Sequence, residues 1–366
     1  METIEAPVAS AENYMTGESA YPADVAVATT SEPTQVVTAE PVPDNPEICA
    51  AARAICNADF LLLASGAGLS ADSGLATFAT LTAKMGAQLG EGITYDHAAG
   101  SDTMAKDPEL FYAFWFSSLR NYVETEPHAG YDILRSWREQ VVRRSQSRTA
   151  SEGFTDPAQP AFVLTSNVDG WSTRKGVAAP DALAQIHGSI HKWQCGGVPS
   201  GKRFPTWTKA RCCEDLFDPP DAGGMDFDAI PLRYTQPAPR CPRCREGWLR
   251  PQIYLFGDGS RFNNNEAVTG DQAYRQWTTE VLSVLNSKAA LRLAIVEIGC
   301  GVRVPNIRKR CEELLAKSPP GQCELIRINP EVSDAVFEAR PTVFVQDTAL
   351  SALRRIEAEC AKHCSK

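Results

Sequence analysis

The stretch Leu61-Leu62-Leu63-Ala64-Ser65-Gly66-Ala67-Gly68-Leu69-Ser70-Ala71 decides the fold, because a short apolar run leads directly into a glycine-rich turn. A run of this length that is bounded by glycine predicts a buried strand. Glycine lets the backbone approach a pyrophosphate closely, and the first N–H groups of a following helix supply donors and partial positive charge. The spacing Gly66-x-Gly68-x-x-Ala71 also satisfies the loose dinucleotide pattern, so the stretch predicts a strand, turn and helix that receive a phosphate group.

The rest of the chain predicts alternating helices and strands. Helical periodicity covers residues 48–58, 129–142, 274–287, 306–317 and 349–362, and apolar strands cover residues 60–64, 161–164, 293–298, 324–328 and 342–345. Strands that alternate with helices imply a parallel sheet covered on both faces, and such sheets bind ligands at the carboxyl ends of their strands. The predicted fold class is therefore α/β, a Rossmann-like doubly wound parallel sheet.

Two insertions interrupt the predicted sheet. Residues 75–126 are rich in aromatic side chains and predict a small helical module over the ligand cleft. Residues 193–248 contain many Pro, Gly and Asp residues, and a loop-like segment of this kind needs a metal to organise it. Cys241 and Cys244 form a C-x-x-C knuckle, which places two thiolates on one side of a tetrahedral metal, so this segment predicts a small zinc-ribbon-like module. The sheet is then predicted from residues 45–74, 127–192 and 249–366.

Residues 1–44 differ in composition from the rest of the chain. They hold eight of the 45 acidic side chains and none of the 36 basic ones, so nearly all of the net charge of −9 lies here. A segment with few aromatic residues and charges of one sign cannot offset its ordering entropy, which predicts a disordered acidic tail. The tail is either a binding or regulatory arm or a solvated extension.

The composition indicates a soluble intracellular protein. The chain of 366 residues is 43% hydrophobic, and no apolar run approaches the roughly 20 residues of a membrane span. The acidic start Met1-Glu2-Thr3-Ile4-Glu5 is unlike a secretory or transit signal, and twelve cysteines in a chain of this size indicate reduced thiols rather than a disulfide framework. We expect a cytoplasmic or nuclear protein that contacts no membrane and, because it is acidic, binds no nucleic acid tightly.

Four downstream segments belong with the glycine-rich turn. They are Thr165-Ser166-Asn167-Val168-Asp169-Gly170, Gln185-Ile186-His187-Gly188-Ser189, the run from Cys241-Pro242-Arg243-Cys244 through Leu249-Arg250-Pro251 to Phe256-Gly257-Asp258, and Ile326-Arg327-Ile328-Asn329-Pro330-Glu331. Together with the turn that runs on to Gly74, this ordered set resembles the sirtuin family of NAD-consuming protein deacylases, since several motifs in one order are far more specific than one match. The resemblance implies one catalytic domain over residues 45–366, NAD as the cofactor and an acyl-lysine protein or peptide as the substrate.

The resemblance implies catalytic roles for His187 and Asn167 and a cofactor-binding role for Asp169. His187 is implied as the general base, because an imidazole titrates near neutrality and can take a proton from a ribose hydroxyl once nicotinamide has left. Asn167 is implied to contact the nicotinamide ribose, and Asp169 to accept from the N–H₂ of the carboxamide. The alternatives are a structural histidine at a strand end and an ordinary Asn-x-Asp-Gly turn.

Further contacts follow from the matching positions. The implied cofactor-binding residues are Gly66, Ala67, Gly68, Ser70, Phe78, Ser166, Asn167, Asp169, His187, Gly299, Cys300, Gly301, Asn329 and Pro330. The turn Gly299-Cys300-Gly301 is expected under the adenosine half, and Asn329 at the adenine-side ribose. The backbone of Phe256 and Gly257 is expected to pair with an extended acyl-lysine peptide by strand addition.

The resemblance implies only part of the zinc site. Cys195 follows His187 by eight residues, as in the family's first knuckle, but Gly196-Gly197-Val198-Pro199 supplies no second cysteine. The expected ligands are therefore Cys195, Cys241, Cys244 and either Cys212 or Cys213. Four protein ligands leave no open coordination position, so the zinc would be structural. The alternative is a site that has lost its metal.

The chain departs from the family pattern just after the turn. Thr77 and Ala79 stand where the family has an acid and an arginine, Phe78 is retained, and Ser166 replaces a glutamine. The ring of Phe78 could shield the sugar cation, whereas the missing arginine would have added a charge-assisted contact near the pyrophosphate. Its loss predicts weaker NAD binding or slower catalysis. Three functions remain open: NAD-dependent deacylation, ADP-ribosyl transfer or NAD hydrolysis, and NAD binding without catalysis.

Overall fold

The computed structural model describes residues 45–76, 88–152, 159–200, 206–209, 211–259, 262–331 and 342–364. The predicted acidic tail and residues 77–87 lie outside these ranges. The helices are α1 (Pro46–Cys56), α2 (Gly68–Ala71), α3 (Tyr95–Ala99), α4 (Thr103–Lys106), α5 (Pro108–Glu124), α6 (Gly130–Glu152), α7 (Trp171–Arg174), α8 (Asn265–Ser287), α9 (Asn306–Lys317) and α10 (Ala349–Cys364). None of these described helices is both long and apolar enough to cross a lipid bilayer.

Eleven strands are described, and they form three sheets. The strands are β1 (Phe60–Ser65), β2 (Ala161–Thr165), β3 (Leu183–Gln185), β4 (Gly188–Cys195), β5 (Val198–Ser200), β6 (Thr206–Lys209), β7 (Leu216–Phe217), β8 (Leu249–Ile253), β9 (Leu293–Ile298), β10 (Cys323–Ile328) and β11 (Thr342–Val345). Local capping fixes where helices begin. Asn45 accepts hydrogen bonds from the backbone of Glu47 and Ile48 at 3.0 and 3.1 Å, and Asp107 accepts one from Leu110 at 3.1 Å, in each case ahead of a proline that suits the first helical position.

The main sheet has six parallel strands in the order β11-β10-β9-β1-β2-β3. Its register places Leu62 of β1 between Phe162 of β2 and Ile295 of β9. From β1 the chain builds the sheet outward on one side to β3, and then returns to the other side of β1 to add β9, β10 and β11. This is the strand order of a dinucleotide-binding sheet, and ligands of such sheets bind where the direction changes, here beside β1.

Alternate side chains of β1 enter two different cores. Leu61 and Leu63 pack in the core that α1, α6 and α10 cover, whereas Phe60 and Leu62 pack in the core that α8 and α9 cover. Every residue of β1 is buried, as expected for a parallel strand with helices on both sides. The predicted Rossmann-like doubly wound parallel sheet is therefore confirmed.

A third core joins the two insertions. Tyr112 and Phe116 of α5 stack on Trp193 of β4, with ring centroids 6.4 and 5.4 Å apart. Tyr112 also donates a hydrogen bond to the carbonyl of Leu249 in β8 at 2.7 Å. The helical module and the cysteine-containing module thus share one aromatic core, which we call the insertion core.

The second sheet takes residues that the sequence assigned to the main sheet. β4 begins at Gly188 and pairs in antiparallel fashion with β8, from Gly188 opposite Ile253 to Cys195 opposite Leu249. With β7 on the other side of β4, these strands form a three-stranded sheet. Residues 188–192 and 249–253 therefore belong with the cysteine module. Hydrophobic pattern identifies a strand but not the sheet it joins, because pairing depends on distant residues.

Candidate active site and cysteine cluster

The predicted site residues converge on the carboxyl edge of the main sheet. In the register, Ser65 at the end of β1 lies opposite Thr165 of β2 and Ile298 of β9, and Ile298 lies opposite Ile328 of β10. The residues that directly follow these strand ends are therefore neighbours. They are Gly66, Ala67, Gly68, Ser166, Asn167, Gly299, Cys300, Gly301, Asn329 and Pro330, with His187 after the adjacent strand β3.

The glycine-rich turn lies directly against the end of β9. Gly66 and Gly68 donate backbone hydrogen bonds to the carbonyls of Ile298 and Gly299 at 3.0 and 3.1 Å. A Cβ atom on Gly68 would lie 2.5 Å from the Cα atom of Gly299, and Gly299 itself has φ of +61°. Glycine is required here because two backbones touch, a reason that the sequence could not show. Two backbone N–H groups of this turn are thus hydrogen-bonded to carbonyls at the end of β9 and just after it, and do not face a phosphate.

Asn167 and Asp169 lie beside the turn and are held by Ser70. The hydroxyl of Ser70 donates to Oδ2 of Asp169 at 2.8 Å, and Nδ2 of Asn167 donates to Oγ of Ser70 at 3.2 Å. Oδ1 of Asp169 accepts from the backbone N–H of Trp171 at 2.9 Å. Burial raises the pKa of Asp169, although the hydrogen bonds from Trp171 and Ser70 oppose that shift. The predicted Asn-Val-Asp segment is therefore part of a buried hydrogen-bond network and not only a surface turn.

His187 is partly accessible and carries a neutral imidazole. Burial lowers its pKa to about 4, a hydrogen bond to the backbone of Ser166 opposes this shift, and the positive charge of Arg310 adds to it. Because one ring nitrogen donates to Ser166, the other ring nitrogen keeps its lone pair. No described side chain or backbone group is hydrogen-bonded to that second nitrogen. The ring is thus neutral at neutral pH, as a general base must be, but a pKa of about 4 makes it a weaker base than the imidazole titrating near neutrality that was expected from the sequence.

Buried polar and charged side chains hold the turn after β9 in place. The carbonyl of Cys300 accepts from Nη2 of Arg308 at 3.2 Å and from Nδ2 of Asn329 at 3.3 Å. Glu297 and Arg327, on adjacent strands, are 1% and 0% exposed and form hydrogen bonds of 2.7 and 3.0 Å. Burial raises the pKa of the Cys300 thiol well above its ordinary value, so this thiol stays neutral. Sequence reasoning missed Arg308, since a charged residue in a helical stretch is usually exposed.

The predicted peptide-binding backbone forms a turn. Phe256 accepts a hydrogen bond from the N–H of Ser101 at 2.9 Å, and Gly257 has φ of +78°. Asp258, buried against Arg250, anchors the turn by accepting from that guanidinium and from the backbone of Leu255, both at 2.7 Å. Strand addition by a peptide at Phe256 and Gly257 stays a prediction. The retained Phe78 and its neighbours Thr77 and Ala79 lie outside the described residues.

Four cysteine sulfurs converge in the second insertion. The Sγ atoms of Cys195, Cys212, Cys241 and Cys244 all lie within 4.8 Å of one another, and the atoms of Cys212 and Cys241 are 3.6 Å apart. Tetrahedral thiolates around zinc, with Zn–S of about 2.3 Å, are separated by roughly 3.8 Å. The structure therefore selects Cys212 rather than Cys213 as the fourth member, and the donor set fits a closed structural zinc site.

Backbone groups support this cysteine cluster. Gly247 donates to Sγ of Cys244 at 3.2 Å and Cys212 donates to Sγ of Cys195 at 3.5 Å. Burial would raise the pKa of Cys244, but hydrogen bonds from the backbone of Gly247 and Glu246 and from neighbouring thiols lower it to about 7. N–H donors to sulfur favour the thiolate, which is the form that binds a metal, although burial still raises the pKa of Cys195 and Cys212.

The sheet and its carboxyl edge define an α/β protein of the dinucleotide-binding type that carries a four-cysteine module. The family model described as the Sir2 family matches residues 66–276, more than half of the chain. The chain belongs to the Sir2 family, as the ordered motifs indicated.

Individual relatives are distant. The chain is 24% identical over 209 residues to "NAD-dependent protein deacylase 2" of Pseudomonas aeruginosa, which covers 57% of this chain and 65% of that protein. It is 27% identical over 213 residues to "NAD-dependent protein deacylase sirtuin-5, mitochondrial" of Canis lupus familiaris, which covers 56% of this chain and 58% of that protein. The chain thus spans less than two thirds of the length of these relatives. The solved "Structure of Sir2Tm bound to a propionylated peptide" is similar at 16% identity and a TM-score of 0.48, over 84% of this chain and 96% of that one.

Proposed function

We propose that residues 45–366 form an NAD-dependent protein-lysine deacylase that releases nicotinamide and O-acyl-ADP-ribose. The observation that carries this proposal is the arrangement of His187 at the same sheet edge as Asn167 and Asp169, with one ring nitrogen available to accept a proton. The names of the relatives, which are NAD-dependent protein deacylases and deacetylases, support the same reaction class.

NAD would lie along the carboxyl edge of the sheet. Its pyrophosphate would sit at the turn of Gly66 to Gly68, its adenosine half over Gly299 to Gly301 and Asn329, and its nicotinamide half at Asp169. No described atom lies within 4 Å of a Cβ built on Gly301, so this glycine leaves open space beside the proposed adenosine half, whereas the Cβ positions of Gly66, Gly68 and Gly299 are taken up by neighbouring backbone. NAD supplies a glycosidic bond whose cleavage releases nicotinamide and leaves C1′ of the ribose to the acyl oxygen.

The chain's own residues would bind, orient and take a proton. A carboxylate has about four acceptor positions, so Asp169 can accept from the carboxamide N–H₂ while it keeps its bonds to Ser70 and Trp171. Asn167 would hold the ribose through its side-chain oxygen. His187 would then remove a proton from a ribose hydroxyl, and its hydrogen bond to Ser166 would stabilise the imidazolium that results.

The cysteine cluster would hold zinc in a structural role. Cys195, Cys212, Cys241 and Cys244 would supply all four ligands of such an ion, which would leave no position for a substrate. The zinc would fix the loop that packs on the insertion core, so it would support the acyl-lysine site beside Phe256 and Gly257 without taking part in the reaction.

Nicotinamide release from NAD tests the proposal, with and without an acetylated lysine peptide. We expect steady-state release that depends on the peptide and falls by about 10²- to 10⁴-fold in His187→Ala, because an enzyme that cannot remove the ribose proton after nicotinamide has left does not complete its turnover. His363→Ala is the control, since His363 is a partly exposed residue of the last helix turn beside Glu359. Release without peptide would instead indicate NAD hydrolysis or ADP-ribosyl transfer. Undiminished turnover in His187→Ala would exclude His187 as the base.

A further inference from the structure

Ser70 is the centre of a hydrogen-bond network that connects the sheet edge to α6. Its side chain is 4% exposed and has three partners: Oδ2 of Asp169 at 2.8 Å, the phenol oxygen of Tyr131 at 3.1 Å and Nδ2 of Asn167 at 3.2 Å. Tyr131 lies 61 residues from Ser70 in sequence, and no local motif marks it. The structure alone brings it to the site.

The inventory of donors fixes the direction of each bond. A serine hydroxyl has one hydrogen and can accept two, an ionised carboxylate only accepts, and the amide nitrogen of asparagine only donates. Ser70 therefore gives its hydrogen to Asp169 and accepts from Asn167, so the remaining bond must be donated by Tyr131. Burial and the charge of Asp169 raise the pKa of Tyr131 well above its ordinary value, which keeps this proton on the phenol.

These bonds determine what Asn167 and Asp169 present to a ligand. Because Nδ2 of Asn167 faces Ser70, Oδ1 of Asn167 faces away from it, and no described group donates to that oxygen. Asp169 is held at both carboxylate oxygens, by Ser70 and by the backbone of Trp171. A fixed carboxylate and a fixed amide oxygen are pre-organised acceptors, which bind a carboxamide or hydroxyl without losing conformational entropy.

Tyr131 is buried and held by contacts with two neighbouring rings. It is 1% exposed, and its ring packs edge-on against Trp171 at 5.7 Å and against His128 at 5.2 Å. It belongs to α6, which covers one face of the sheet, so the phenol connects a rigid helix to Ser70.

We propose that Tyr131 is a positioning residue for the nicotinamide half of NAD: its O–H saturates Ser70 and thereby holds Asp169 and Asn167 in their binding orientation. This inference rests on the NAD site proposed above. It concerns recognition of one half of the ligand, so it differs from a general contribution to folding.

Tyr131→Phe tests the inference through a comparison of two ligands by calorimetry. NAD contains the nicotinamide ribose and carboxamide, whereas ADP lacks both and shares the adenosine half and the pyrophosphate. We expect about a 5- to 20-fold weaker affinity for NAD, the size of one hydrogen bond to a network with a charged member, and an unchanged affinity for ADP. Tyr234→Phe is the matched control, because Tyr234 is also buried and its hydroxyl donates to the carbonyl of Pro237 at 3.4 Å, within the insertion core.

Equal weakening of NAD and ADP, or no change in either, would overturn the inference. If Tyr131→Phe does not fold, Ser70→Ala provides the same comparison, and the loss must again be confined to NAD. Where both variants fold, Tyr131→Phe should have no further effect in the Ser70→Ala background, since both act through Ser70. Binding is measured without turnover, so a wild-type protein that releases no nicotinamide would refute the deacylase but leave this test intact.

Discussion

The main sheet and the insertion core bury their apolar side chains by different means. The strands β1 and β9 are buried at every position and lie between two layers of helices. The cysteine module has short strands and long loops, and its apolar residues are buried in one cluster with the aromatic residues of α5 and neighbouring residues of the helical module. The comparison teaches that parallel strands and the helices that cover them supply their own core, whereas a loop-rich segment packs on a core that it shares with another module, and we expect it to need a metal cross-link as well.

The two regions also differ in how they bury polar groups. The main sheet contains the ion pair of Glu297 and Arg327, extended by Glu312, which accepts from Arg327 at 2.8 Å. The cysteine module instead buries sulfur, with Cys195 and Cys241 both 0% exposed. Burying an ion pair costs desolvation free energy, which only good hydrogen-bond geometry offsets. Buried cysteine thiols, in contrast, would be stabilised by binding a metal. Three substitutions, one in the cysteine module and two in the main sheet, compare how strongly stability depends on the proposed zinc, on the buried ion pair and on the glycine contact.

Removal of one zinc ligand should have the largest effect, confined at first to the cysteine module. Cys241→Ser takes a thiolate from the four-sulfur set, so we expect loss of bound zinc and a destabilisation on the order of several kcal/mol. Elemental analysis and thermal unfolding measure both. Cys323→Ser is the control, since Cys323 is a partly buried thiol at the start of β10, outside the cluster. One zinc per chain and an unchanged Tm in Cys241→Ser would show that the module does not depend on a metal.

Loss of a single buried charge should lower the stability of the main sheet. Arg327→Met leaves Glu297 buried without its principal partner, so we expect a loss of about 3 to 5 kcal/mol in the free energy of unfolding. The double variant Glu297→Leu with Arg327→Met should recover part of that loss, because no unpaired charge remains between these strands although Arg308 loses the carboxylate 3.8 Å from its Nε. Urea unfolding gives both values. Arg120→Met is the control, since its 2.8 Å pair with Glu124 is exposed and should contribute less than about 1 kcal/mol. A double variant as unstable as Arg327→Met would contradict this account.

The smallest expected effect is at the contact between the glycine-rich turn and β9. Gly299→Ala forces a side chain into a left-handed conformation and places its Cβ 2.4 Å from the Cα of Gly68, so we expect roughly 2 to 4 kcal/mol of destabilisation. Gly301→Ala, two residues away, has no described atom within 4 Å and should change stability by less than about 1 kcal/mol. Urea unfolding of the pair checks the difference, and equal values would mean that the two backbones do not touch as described.

Much of the fold could be predicted from local pattern. The strand predicted over 293–298 is β9 at Leu293–Ile298, and the helix predicted over 306–317 is α9 at Asn306–Lys317. Both depend on apolar runs and helical periodicity, which are properties of neighbouring residues. The boundary between the sheets could not be predicted, since β4 and β8 are assigned by pairing with each other across more than 50 residues.

Some features of the candidate site could also be predicted from the sequence, and others could not. By itself the sequence determined the apolar strands, the glycine-rich turn after β1, the position of His187 after a strand and the C-x-x-C pair, because each is set by spacing along the chain. Only the tertiary structure decided that Cys212 rather than Cys213 joins the cluster, that Gly68 meets Gly299, and that Tyr131 and Arg308 are hydrogen-bonded to Ser70 and to the carbonyl of Cys300. These contacts join residues far apart in sequence, and their partners depend on how helices and strands pack in three dimensions.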